Sequence, residues 1–372
     1  MGLPIYRRLR SFIESLSRHR SPRKRRCNLP TASAGHVELL EPRQLLTVTF
    51  HGGALLTHVE TQAVFLGNEW QTNPTLHPQT RQLDNYLSAL VTGSYMDMLT
   101  NAGYNVGRGT STAGAIDNIA ISLTNGITDA QIRGDLQAMI TSKHVNAPDA
   151  NRLYVVYVEP GVAVYNFGSS SITAFLGYHG AFAGKTANNA TIDIHYAVMP
   201  YPGTPNPSPV KVGFADAFSE LTVVTSHEVA EASTDPNGGY KELGWYDDHH
   251  GEIGDLTHSR ATLDGYLVQQ VVNQQDLAIN PNFVQAPQSI SVQALTSTSA
   301  KLSWTKVLGA NGYRIYQIEG ADTVLIANVG ASAISFQVNK LVAGSFNSFK
   351  VEAYNKLSIA DSKTVNIKLP SA

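Results

Sequence analysis

The residues best suited to chemistry fall in one short stretch, Thr225-Ser226-His227-Glu228-Val229-Ala230-Glu231-Ala232-Ser233-Thr234-Asp235-Pro236. On a helix, residues four apart share a face one turn on, so His227 and Glu231 can grip one cation between them. Glu228 projects beside that face, where a carboxylate can take a proton from water. Asp235 stands one turn further along, and Pro236 ends the helix. The same residue types also occur on solvated helix faces, so this HExxE spacing does not by itself establish a site. Downstream, Glu252 follows His227 by 25 residues, and Asp255 shares a face with Glu252 if residues 251–256 make a helical turn. Clustered carboxylates repel unless separated, protonated or neutralised by a cation, and here they gather in a chain that is only 15% charged. The expected metal ligands are therefore His227, Glu231, Asp235, Glu252 and Asp255, with Glu228 as the catalytic base. Zinc is the expected ion, because an imidazole ligand favours a transition metal. Oxygen-rich ligation keeps calcium as the alternative. The adjacent His249 and His250 read as loop residues.

The elements that must position these side chains lie within residues 47–280. Ala215–Ser233 reads as the helix carrying the stretch, with Phe218, Leu221, Val224 and Val229 on its apolar side. Strands are expected at Val59–Leu66, Leu153–Val158 and Ile192–Met199, and helical spacing runs from Gln79 to Ala102. Thr128 and Gln131 form a capping box that opens a helix to about Lys143. Mixed strands and helices in this order predict an α+β or α/β central domain.

Composition narrows the function classes. The chain has 372 residues and a net charge of −2. Residues 1–45 carry 10 Lys+Arg against 3 Asp+Glu, a net +7, so the remaining chain is at −9. An acidic body with no basic stripe argues against nucleic acid as the partner. No apolar run approaches the ~20 residues a membrane span needs. Cys27, the only cysteine, lies in the basic leader, so disulfides and thiolate metal sites are excluded from the body.

Behind the arginine-rich leader comes Val37-Glu38-Leu39-Leu40-Glu41-Pro42-Arg43-Gln44-Leu45-Leu46. This resembles the LEPRxLL sorting segment of surface and exported proteins of planctomycete bacteria, which implies a secreted or cell-surface bacterial protein. Residues 1–46 are accordingly read as a disordered address.

Pro281 and Pro287 bracket a linker at residues 281–287, after which the pattern alternates. Seven short segments, Ser289–Ala294, Ala300–Trp304, Tyr313–Gln317, Thr323–Val329, Ser335–Val338, Ser348–Tyr354 and Ser362–Leu369, suit a β-sandwich over residues 288–372. Leu302-x-Trp304, Tyr313-x-Ile315 and Leu341 ahead of Phe349-x-Val351-x-Ala353 resemble a fibronectin type III module, an all-β immunoglobulin-like sandwich. Asn347 stands where that family usually has its corner tyrosine.

Val224–Asp255, together with Ala174-Phe175-Leu176-Gly177-Tyr178-His179-Gly180-Ala181-Phe182 and His195-Tyr196-Ala197-Val198-Met199-Pro200, resembles the phosphate-induced, exordium-like family of extracellular proteins. That resemblance implies an α+β, zincin-like central domain whose HExxE helix maps onto His227, Glu228 and Glu231 and whose acidic segment maps onto Glu252 and Asp255. The plant members' cysteines are missing, so no disulfide framework carries over. Substrate-binding candidates are His179, His195 and Tyr196. His179 also reads as a hydrogen-bonded buried histidine, and Tyr196 as a core or rim aromatic. By the zinc-peptidase analogy, Ile192–Met199 is expected to be the edge strand that pairs with a peptide. The leading expectation is a secreted, zinc-dependent, peptidase-like hydrolase acting on extracellular peptide or protein. The alternatives are a non-catalytic surface or adhesion protein with a structural metal, and a binder of cell-wall polymer.

Overall fold

The computed structural model describes residues 47–239, 241–320 and 322–371. The basic leader and its sorting segment lie outside the described residues.

The central domain is built on a five-stranded sheet. Its order is Gly107–Asp117, His58–Leu66, Arg152–Val158, Thr191–Pro200 and Tyr178–Lys185. The first four strands run parallel and the last is an antiparallel edge. Parallel strands need crossover connections, and helices supply them on both faces. The mixed helix and strand content is as expected, but the elements alternate in layers instead of segregating, because the strands are mostly parallel.

Side-chain alternation divides the core in two. Ala63, Phe65, Val155, Tyr157, Ala197 and Met199 face one side, packing on the helices His77–Thr92, Ser94–Asn101 and Ala217–Thr234. Val64, Leu66, Tyr154, Val156, Tyr196 and Val198 face the other, packing on the helix Asp129–Thr141. That second helix opens with the expected capping box, in which Gln131 N–H donates to Thr128 Oγ1 at 3.3 Å and Thr128 N–H donates to Gln131 Oε1 at 2.9 Å.

The helical spacing between Gln79 and Ala102 resolves into two helices broken at Gly93, which is extended. A Cβ on Gly93 would lie 2.6 Å from the Ala89 carbonyl oxygen, so the break requires glycine.

Ile192–Met199 is not the edge expected of it. Its strand is flanked by Arg152–Val158 on one side and Tyr178–Lys185 on the other, so its main-chain groups are already paired. The exposed edge next to it is Tyr178–Lys185, where Gly177 just ahead of the strand and Gly180 and Gly184 within it obscured the strand pattern.

The C-terminal sandwich packs a three-stranded sheet, Ser291–Thr296, Ser299–Ser303 and Ser335–Val338, against a larger one. The larger sheet has Asp322–Gly330, Gly312–Glu319 and Phe346–Tyr354, then the final strand in two pieces, Ile359–Asp361 and Val365–Lys368. Trp304 and Tyr313 pack at 5.4 Å in a core with Leu302, Ile315, Phe349 and Val351. Asn347 closes the corner with its amide, donating to Ser345 Oγ at 2.9 Å. Val284, inside the stretch expected as linker, is buried in the sandwich core, and its N–H donates to Ser358 Oγ at 2.8 Å.

Candidate metal centre

The helix Ala217–Thr234 is held from all sides. Asp216 caps its first turn by accepting from Ser219 N–H at 2.8 Å. Tyr95 OH donates to the Ser226 carbonyl at 3.1 Å, and Tyr157 OH lies 3.1 Å from Thr225 Oγ1. Every residue from Glu220 to Thr234 is buried, including His227, Glu228 and Glu231. Buried ionisable side chains on such a helix need compensating partners, and His227, Glu228 and Glu231 find theirs in one place.

Those partners come from the edge strand and from the turn after Gly251. His227 Nε2 lies 3.1 Å from Glu231 Oε2 and 3.8 Å from Asp255 Oδ1. His179, on the edge strand, places Nδ1 3.3 Å from Glu228 Oε2 and 3.7 Å from Glu231 Oε2. Its Nε2 lies 3.0 Å from the Asp235 carbonyl oxygen and 3.3 Å from Glu252 Oε1. Two sets of ligand atoms result, His179–Glu231–Glu252 and His227–Glu231–Asp255, each within 4.8 Å of one another. Glu231 Oε1 accepts no hydrogen bond, and its side chain is only 3% exposed. An orphaned buried carboxylate oxygen beside two imidazoles is the donor set a divalent transition metal takes, so the residues present fit the expected ion.

Small residues keep the space open. A Cβ on Gly254 would fall 2.8 Å from Glu231 Oε1 and 2.7 Å from His227 Nδ1. A Cβ on Gly177 would fall 2.9 Å from Glu228 Oε1. Gln269 is buried and sets the turn that carries Asp255. Its amide donates to the Gly254 carbonyl at 2.6 Å and the Thr257 carbonyl at 2.8 Å, while its N–H donates to Ser226 Oγ at 2.9 Å.

The charges of the cluster are mutually dependent. Burial alone would lower the His227 pKa, but Glu231, Glu228 and Asp255 raise it to about 10. Burial likewise pulls His179 down, and Glu252 and Glu228 overcome it and hold the ring well above its ordinary value. Burial raises Asp255 to about 6 and pushes Glu231 and Glu252 upward, with the histidines opposing. Without a cation both histidine rings therefore keep their protons, and the positive rings offset the neighbouring carboxylates. A metal that displaces those protons takes over the same task.

The sequence-predicted residues separate on this geometry. His227, Glu231, Glu252 and Asp255 converge, with Glu228 alongside them. Asp235 belongs to neither set: its Oδ1 accepts from Gly244 N–H at 3.0 Å, and its carbonyl oxygen faces His179. It ends the helix and anchors the following loop. His179 stands inside the cluster, in the same set as Glu231 and Glu252. Tyr196 points to the opposite face, where its OH donates to Asp129 Oδ1 at 2.6 Å, because successive residues of a strand face opposite sides.

His195 stays on the cluster's face. It pairs with Ala181, two residues along from the His179–Ala197 pair. It lines a cavity of about 810 Å³ with Asp149, Asp193, Asn237, Lys241 and Glu242. This cavity lies beside the cluster, and none of its lining residues belongs to either ligand set. His249 and His250 sit in a turn in which both their N–H groups donate to Asp247 Oδ1, at 2.8 and 2.6 Å. Gln269 had no signal in the sequence, since its contacts bridge 15 and 43 residues. His179 had one in its glycine-flanked Gly-Tyr-His-Gly setting.

Residues 285–367 match the fibronectin type III domain family. Among solved structures, the chain is similar to the chicken CNTN1 FN1-FN3 domains at 22% identity and a TM-score of 0.22, covering 23% of this chain and 32% of that one. It is similar to FN3tt at 20% identity and a TM-score of 0.23, covering 24% of this chain and 97% of that one. The fn3 domain of human contactin 1 matches at 20% identity and a TM-score of 0.22, covering 23% of this chain and 78% of that one. Curated proteins give no match. Among the described residues no helix is long and apolar enough to cross a membrane.

Proposed function

We propose that the protein is a secreted or cell-surface, metal-dependent hydrolase of the peptidase type, with a zincin-like central domain and zinc as its ion. One observation carries the reading: His227, Glu231 and Asp255 bring their donor atoms within 4.8 Å of one another, with Glu228 on the same helix. The antiparallel edge strand Tyr178–Lys185 beside the helix supports it, since an extended peptide can add to such an edge by main-chain pairing. The C-terminal fibronectin type III module supports a surface location, because that sandwich is common among cell-surface domains.

Bound zinc would supply Lewis acidity toward a scissile carbonyl and toward water. Glu228 is the base that takes a proton from water and delivers it to the leaving amine. His179 stands beside that carboxylate, with Nδ1 3.3 Å from Glu228 Oε2. His195 lines the neighbouring cavity and is the residue we assign to substrate contact there. Ligation by several carboxylates lowers the ion's Lewis acidity, so slow turnover is expected.

A second reading has its own support. The cluster side chains are buried and join three separate segments, which suits a closed, structural site in an adhesion protein. Elemental analysis of the purified chain, combined with cleavage of a broad peptide library by wild type and Glu228→Gln, distinguishes the two. Stoichiometric zinc with cleavage lost in Glu228→Gln supports the hydrolase. Metal retained with no cleavage by either protein sinks it in favour of the structural site, and no metal after reconstitution sinks both.

A further inference from the structure

We infer that the cluster is a dinuclear site: two divalent cations, one held by His179 and Glu252, the other by His227 and Asp255, with Glu231 bridging them. The inference rests on the metal-binding reading above and goes beyond it in the number of ions and in making His179 a ligand.

The two imidazoles fall into different ligand sets, and Glu231 is the member the sets share. A carboxylate has two oxygens, and those of Glu231 are placed unequally. Oε2 lies between the two rings, 3.7 Å from His179 Nδ1 and 3.1 Å from His227 Nε2. Oε1 accepts no hydrogen bond although the side chain is only 3% exposed. A bridging carboxylate uses both oxygens, one on each of two ions ~3.5–4 Å apart. Glu252 Oε1, buried and 3.3 Å from His179 Nε2, gives the His179 half of the cluster a carboxylate of its own.

The second ring nitrogen of His179 also suits a ligand. Its Nε2 faces the Asp235 carbonyl oxygen at 3.0 Å, and an N–H donated there leaves the Nδ1 lone pair facing Glu228 and Glu231. Metal-ligating histidines are commonly oriented by such a bond from the other nitrogen to a backbone carbonyl.

The test is zinc stoichiometry of the full chain, measured by elemental analysis and by titration calorimetry after metal removal and reloading. Wild type is expected to bind two equivalents. His179→Gln and Asp255→Asn are each expected to retain one, and Glu231→Gln to lose at least tenfold in affinity for both. Circular dichroism verifies that each variant is folded, and Glu252→Gln removes a ligand of the same ion as His179→Gln should that variant not fold. Saturation of wild type at one equivalent overturns the inference, as does full stoichiometry in both His179→Gln and Glu252→Gln. The hydrolase reading fails separately. Two ions without Glu228-dependent cleavage sinks the enzyme and keeps the dinuclear site, and one ion with such cleavage does the reverse.

Discussion

Arg314 and Glu352 of the sandwich pair at 2.6 Å across adjacent strands, with the arginine side chain 37% exposed to solvent. Few polar side chains are buried with them, among them Ser362, whose Oγ accepts from Val351 N–H at 2.9 Å. In the central domain, Glu228, Glu231, Glu252 and Asp255 are instead matched with the imidazoles of His179 and His227, deep against the sheet. The sandwich gains its stability from an apolar core between two sheets. The central domain surrounds a charged cluster with an equally apolar core and leaves that cluster dependent on protons or cations. Perturbed charges of this kind concentrate at functional sites and in structural ion-pair networks alike.

The strongest way to break this contrast is to damage the sandwich alone. Phe349 is fully buried, and Phe349→Ala should cost roughly 3–5 kcal/mol. Calorimetry should show the sandwich transition falling while zinc content stays as in wild type. Loss of metal from this variant would mean that the two regions unfold as one unit.

Metal removal attacks the other side. A ligand present at 100-fold to 1,000-fold its dissociation constant stabilises the folded state by about 3–4 kcal/mol. Chelation should therefore lower the unfolding midpoint of the central domain and leave that of the sandwich in place. Equal shifts in both would defeat the comparison.

A third measurement separates the cluster from simple burial of charge. Glu220, in the first turn of the same helix, is raised from 4.5 to about 8 by burial, with Arg260 opposing. A carboxyl whose folded pKa is raised contributes stability that is complete below its unfolded pKa and lost as pH rises through the folded one. Between pH 5 and 9 wild type should lose about 4 kcal/mol through this group, and Glu220→Gln should not. Urea midpoints at the two pH values measure the difference, and identical pH dependence in the two proteins would exclude Glu220 as its source.

The smallest effect belongs to the far face of the sheet. Thr128→Ala removes the capping box of Asp129–Thr141 and should cost about 1 kcal/mol. Zinc stoichiometry should be unchanged, because that helix packs on the face opposite the cluster. A change in metal content would show that the sheet transmits strain between its two faces.

Much of the frame was legible in the residues. The capping box, the strands at Val59–Leu66 and Leu153–Val158 and the helix through His227 all follow from local periodicity and turn chemistry, which act within a few residues. The sandwich was legible for the same reason, down to the tryptophan and tyrosine that pack together in its core. The strand Tyr178–Lys185 was not, because its three nearby glycines weaken the alternation on which strand reading depends. That miss also assigned the open edge to its neighbour.

The sequence by itself determined the kind of chemistry. A body without cysteine leaves imidazole and carboxylate as its strong ligands, and helical spacing alone puts His227 and Glu231 on one face. Only the tertiary structure decided membership of the cluster. It brought His179 in from the edge strand, turned Tyr196 away by the pleat, gave Asp235 to the loop and set Asp255 in place through Gln269. Spacing along one element is fixed by its own helical or pleated repeat, whereas contacts between elements depend on strand order and on the packing of distant residues.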